Sequence, residues 1–194
     1  MAVLGLGAFI ASSAHAAGEY TAQEAGETRF TIFGPGVEPG VVAYCLDQSL
    51  AMPPTTADSN LTYTRVPGSS YASLTDAQKA KIATILYNGY SMDKGGLQAA
   101  GVTGLDAATF QTATQDAIWA VTNPGRIDSN LTMDTFSVLG NVYHYLLDGT
   151  TYTGLDGHSV APAAAPAGTI VELDVYTTTD VASGNDPYQP LVAA

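Results

Sequence analysis

The segment from Ala107 to Thr122, AATFQTATQDAIWAVT, constrains the fold more than any other. Wound as a helix at about 100° per residue, it sets Gln115 on one face with Ala108, Gln111, Ile118 and Trp119. Phe110, Ala113, Ala117 and Val121 fall on the other side. A helix apolar nearly all round has to be buried between layers. Asn123-Pro124-Gly125 stops it. Gln115 is thereby set in a dry place beside the one tryptophan of the chain. A buried amide without partners costs about 1–3 kcal/mol, so Gln115 is either hydrogen-bonded or chemically consumed.

The flanking sequence supplies the layers. ETRFTIF, residues 27–33, alternates polar and apolar as a half-buried strand does. VVAYCL, residues 41–46, is apolar on both faces, as in a buried strand. LTYTRV, residues 61–66, alternates again before Pro67-Gly68. Thr75-Asp76-Ala77-Gln78 is a capping box, which opens a helix running to about Tyr87. A third helix is predicted from about Met133 to Leu147, stopped by Asp148-Gly149. After the Pro/Ala connector at 160–168, TIVELDVY (169–176) alternates as another strand. Residues 17–26 read as a loose lead-in, and the tail from Thr177 reads as loose apart from Pro187-Tyr188-Gln189. Strands, three helices, then a strand indicate an α+β fold. A β-sandwich or barrel-like subdomain (about 27–66 and 169–190) carries an inserted helical subdomain (about 73–148) with three or more helices.

Composition narrows the function. Six basic against eighteen acidic residues leave a net charge of −12. Phosphate-backbone affinity comes from Lys and Arg, so nucleic acid and anionic membranes are poor partners. Residues 1–16 read as a signal peptide, with an apolar run from Val3 to Ala11 and Ala14-His15-Ala16 as a small-x-small cleavage site. No Lys or Arg precedes the run, as in a signal that starts partway through. The run is too short to span a bilayer, so residues 17–194 are expected as a secreted domain without membrane insertion. Scattered aspartates give no Asp-x-Asp-x-Asp-Gly loop, and no metal or other cofactor is expected.

A secreted chain with one cysteine cannot form an internal disulfide. On its strand Cys45 points with Val41 and Ala43 toward a packed face. An inert buried thiol is common, and the strand by itself favours that reading. Ala43-Tyr44-Cys45-Leu46 and Thr114-Gln115-Asp116-Ala117-Ile118-Trp119, however, resemble the two signatures of the thioester domains of Gram-positive surface adhesins and pilus tip proteins. Tyr87-Asn88-Gly89-Tyr90, the element order and Tyr188-Gln189 are similar to that family too, so the resemblance covers about residues 27–190.

The resemblance implies an internal thioester between Cys45 and Gln115 at the junction of the two subdomains, with Tyr44, Thr114, Ile118 and Trp119 in support. It implies a secreted, cell-surface domain of a larger protein, monomeric by itself. Such a domain reacts once with a lysine amine of a host or partner protein, with no turnover and no cofactor. Gln111, one turn earlier, is the alternative acyl donor; the TQDAIW context favours Gln115.

Three other readings compete. A cysteine hydrolase would pair Cys45 with a histidine. Beyond the signal only His144 and His158 remain, in a helix and in a loop. His144 could activate a nucleophile, although a core or rim role fits its Tyr143 and Tyr145 neighbours better. A non-covalent protein- or carbohydrate-binding module would suit the eleven tyrosines. A stalk domain with a Lys–Asn crosslink would need a lysine on a buried strand, but Lys79, Lys81 and Lys94 lie in or near the helical part.

Overall fold

Strands β1 (Thr21–Gly26), β2 (Arg29–Phe33) and β3 (Val41–Cys45) run as an antiparallel meander. The β2–β3 turn uses Gly40 at φ 125°, where a Cβ would come within 2.8 Å of the Thr31 side chain. β4 (Thr64–Pro67) follows, and the chain then leaves the sheet for the helices. It returns as β7 (Asp174–Thr177), which pairs directly with β4, Thr64 opposite Thr177 and Pro67 opposite Asp174. β8 (Leu191–Ala193) fills the gap between β3 and β7, giving the order β1-β2-β3-β8-β7-β4. The outer strands also meet, because Tyr20 and Tyr63 exchange both backbone hydrogen bonds, at 3.0 and 2.8 Å. The sheet is thus curled toward a barrel, one of the two architectures expected for this subdomain.

This computed structural model describes residues 20–26, 29–37, 39–54, 61–92, 96–102, 104–126, 134, 136–165, 171–182, 184 and 186–194. The expected signal, residues 1–16, lies outside them, as does Lys94.

Alternation along the strands sorts side chains into two cores. Phe30, Ile32, Ala43, Cys45, Tyr176, Leu191 and Ala193 point into the curl and pack with Tyr20, Tyr63 and Trp119. Tyr44, Val175 and Val192 point the other way, into a second core shared with the helices. Those helices are α1 (Asp76–Asn88), α2 (Ala107–Thr122) and α3 (Val138–Asp148). A short hairpin, β5 (Tyr152–Thr153) with β6 (Ser159–Val160), follows α3.

Local chemistry sets the helix ends. The Thr75 hydroxyl accepts the Gln78 N–H while the Gln78 side chain accepts from the Thr75 N–H, the reciprocal cap read from the sequence. Asp106 caps α2 through the Thr109 N–H at 2.8 Å. Gly149, at φ 74°, ends α3 in the left-handed conformation.

Four expectations are corrected. Residues 21–26 are not a loose lead-in but an edge strand, because their backbone pairs with β2. The tail is held, since β8 lies in the middle of the sheet. The third helix starts at Val138 rather than near Met133. The Asp134 carboxylate accepts from the Phe136 and Ser137 N–H groups, at 2.9 Å each, so Ser137 becomes the cap. The strand expected over 169–176 begins only at Asp174 in the described residues. Its partner ends at Pro67, which has no N–H, and the Leu173 carbonyl instead accepts from Gly68 at 2.7 Å.

α1 ends hard against α2. A Cβ on Gly89 would lie 2.7 Å from Thr114 Cγ2 and 2.8 Å from the Ile85 carbonyl oxygen. Gly89→Ala should therefore cost about 1–3 kcal/mol of stability, read as a lower urea midpoint at unchanged slope.

Candidate functional site

β3 and α2 meet at Cys45. The neighbouring Leu46 N–H reaches the Pro190 carbonyl on the β8 side, at 2.8 Å. The Cys45 N–H and C=O therefore point to the opposite side, where the described pairing with β2 ends at Arg29 opposite Tyr44. The Gln115 side chain takes up both groups. The Cys45 N–H donates to Gln115 Oε1 at 2.8 Å, and Gln115 Nε2 donates to the Cys45 carbonyl at 2.7 Å. The amide of a helix side chain thus extends the ladder of a strand, with both its oxygen and its nitrogen hydrogen-bonded. Cys45, Gln115 and Thr114 are all fully buried.

A knot of polar contacts fixes α2 at this height. Thr114 Oγ1 donates to the Phe110 carbonyl at 2.8 Å and accepts the Tyr90 N–H at 3.2 Å. The Tyr44 hydroxyl donates to the Tyr90 carbonyl at 3.3 Å, and the Arg29 guanidinium lies 4.9 Å from the Tyr90 ring centre. Burial pushes the Tyr44 hydroxyl far above the usual phenol range. A second strand-to-helix tie lies beyond the site. Asn123, at the C-terminus of α2, donates to the Asp47 carboxylate at 3.0 Å and accepts the Gln48 N–H at 2.9 Å. Burial opposes the Asp47 charge, but bonds from Ser49 and Asn123 and the Arg126 charge outweigh it and lower the pKa.

The expected residues fall as follows. Ile118 is fully buried in the helical core, and Trp119 belongs to the barrel core with Cys45. Tyr44 alternates away from the thiol into the helical core, so it holds the strand rather than covering the sulfur. Gln111 is buried on the same helix, but the bonds to Cys45 come from Gln115. His144, on α3, is held by Asp148, with Nδ1 2.6 Å from Oδ2. His158 is exposed in the turn before β6. Among the described residues no cluster of metal-ligating side chains occurs.

Two neighbours of the thiol were not legible in the sequence. Met52 Sδ lies 3.7 Å from Cys45 Sγ, and Gln189 Nε2 donates to the same Met52 sulfur at 3.0 Å. Gln189 is fixed by its N–H to the Ala51 carbonyl, at 2.9 Å. Only the Tyr188-Gln189 dipeptide hinted at this position.

Fold and site define an α+β domain of the kind carried by Gram-positive surface adhesins and pilus tip proteins. The family model for the thioester domain matches residues 42–151, and the chain belongs to that family. Three similar solved structures carry the same fold. One is the N-terminal thioester domain of a Clostridium perfringens surface protein, with a TM-score of 0.62 and 20% identity over 92% of this chain and 98% of that one. Another is that of the fibronectin-binding protein SfbI of Streptococcus pyogenes, with a TM-score of 0.60 and 18% identity over 91% of each chain. The third is the N-terminal domain of the S. pyogenes pilus tip adhesin Cpa, with a TM-score of 0.59 and 20% identity over 87% and 84%. No match was found among curated proteins.

Asp116, the next residue to Gln115, carries a testable cost. Burial pushes its carboxyl up to about 6. The folded chain then holds this proton more tightly than the unfolded one, whose pKa is about 4. The group's contribution to stability therefore falls as pH rises from about 4 to about 6 and is flat above. Asp116→Asn should remove that slope and raise stability at pH 7, on the order of 1–2 kcal/mol, in urea melts across the range.

Proposed function

We propose that Cys45 and Gln115 are joined in an internal thioester and that the domain is a covalent surface adhesin. The carrying observation is the clasp of the Gln115 amide by both backbone groups of Cys45, at 2.8 and 2.7 Å. It holds the amide carbon beside the cysteine and polarises its carbonyl, since the Cys45 N–H sits where an oxyanion would form. Cys45 Sγ attacks the Gln115 carbonyl carbon, the C–S bond forms and the C–N bond breaks. The thiol proton passes to the departing nitrogen, which leaves as ammonia. Burial pushes the Cys45 thiol up to about 12, so proximity rather than a ready thiolate drives this step.

A thioester carbonyl is a better electrophile than an amide. A lysine of a host or partner protein attacks it, forming an isopeptide bond on Gln115 and freeing the Cys45 thiol, once per molecule. An amine of pKa about 10.4 is neutral only about once in several thousand at pH 7, so capture should speed up as pH rises. Trp119 and the dry barrel core slow the competing hydrolysis by excluding water. Three lysines in 194 residues leave few internal amines to spend the bond. The same reading makes residues 1–16 an export signal and the rest a monomeric domain of a larger surface protein.

The buried tyrosines weigh against the non-covalent module. Tyr20, Tyr44, Tyr63, Tyr143, Tyr145, Tyr152 and Tyr176 are core residues rather than a binding surface.

Intact mass tests the proposal. Freshly purified protein, never exposed to amines, should be lighter than its sequence mass by one ammonia. Methylamine should add its own mass to Gln115 and expose one titratable thiol. Cys45→Ala should abolish both the deficit and the capture while the chain stays folded. A native chain at full sequence mass would refute the crosslink.

A further inference from the structure

Gln189 is 1% exposed, yet only half of its side-chain amide is used. Nε2 donates to Met52 Sδ at 3.0 Å, whereas Oε1 is buried without a hydrogen-bond partner among the described residues. Turning the amide over would set its oxygen against an electron-rich thioether, which disfavours that orientation. A buried acceptor without a donor is costly, and this one is held in place. The Gln189 N–H donates to the Ala51 carbonyl at 2.9 Å, and the Ala51 N–H donates to the Pro187 carbonyl at 3.1 Å. The same Met52 sulfur lies 3.7 Å from Cys45 Sγ. The free oxygen is therefore one side chain away from the sulfur that leaves when the bond is spent. Met52 is 39% exposed, whereas the Cys45 sulfur it touches is fully buried.

We infer that Gln189 receives the attacking group: its Oε1 accepts a hydrogen bond from the primary amine that opens the Cys45–Gln115 bond, with Met52 as the cover the amine displaces. The inference rests on the thioester reading. The amine nitrogen bonds to the Gln115 acyl carbon and the C–S bond breaks. One amine proton ends on the Cys45 sulfur as the thiol, while Gln189 takes no proton. Its part is to orient the nitrogen lone pair toward the carbon by holding an N–H on the far side. A thiolate nucleophile offers no such donor and gains nothing from it.

The test compares two nucleophiles on freshly purified protein. Methylamine and 2-mercaptoethanol are added separately, and adduct formation is followed by intact mass. Gln189→Leu should keep the mass deficit of one ammonia and slow methylamine capture about tenfold, the size of one lost hydrogen bond. Its reaction with 2-mercaptoethanol should stay within about twofold of wild type, a margin well below the loss of one hydrogen bond. Gln189→Glu retains an acceptor of the same length and should restore methylamine capture. If Gln189→Leu does not fold, Gln189→Met carries the same comparison. Wild-type methylamine capture in a folded variant lacking the acceptor overturns the inference. So does equal slowing of both nucleophiles, which marks a general packing role, and so does a folded variant without the mass deficit, which assigns Gln189 to bond formation. A wild-type chain without the deficit refutes the thioester itself, a distinct outcome.

Discussion

Two hydrogen bonds between a helix side chain and a strand backbone organise this molecule. The Gln115 amide completes the Cys45 peptide group as another strand would. In a buried place neither partner has water as an alternative, so while the amide is intact each bond removed would leave a donor or acceptor stranded. That makes the relative height of α2 and β3 a requirement rather than a preference. The surrounding contacts serve it. Thr114 pins the helix to Tyr90, Tyr44 pins the strand to the same residue, and Asn123 ties the helix end to Asp47 and Gln48.

The topology supplies the second condition. The helices leave the sheet after β4 and return at β7, and these two strands are neighbours. The insertion is thus closed by strand pairing, with Arg65 and Asp174 joined across it. Alternation then gives each side of β3 a different duty. Cys45 faces the barrel core with Trp119, and Tyr44 faces the helices. One strand addresses both layers, which is how a residue of each can meet at the junction.

Much of this was readable from local chemistry. α2 spans Ala107–Thr122 as its apolar wheel predicts, because its ends are set by Asp106 and by Asn123-Pro124 rather than by distant contacts. The capping box of α1 and the Gly149 stop are likewise local. What the sequence concealed depends on partners far along the chain. β1 is polar and small, and is a strand only because β2 lies beside it. β8 is three residues long and owes its central place to β3 and β7. The start of α3 went to a side-chain competitor, Asp134, that a periodicity argument does not see. At the site, the Cys45–Gln115 pairing was suggested by motif resemblance, whereas Met52 and Gln189 are brought together across 137 residues with no pattern to announce them.

The rung between Tyr20 and Tyr63 joins the two outermost strands of the sheet to each other. Open sheet margins are the usual templates for unwanted strand exchange between molecules. Here the margin is spent on the molecule itself, and both tyrosine rings are folded inward. Copies crowded side by side at high density would find no free backbone at that rung to pair with.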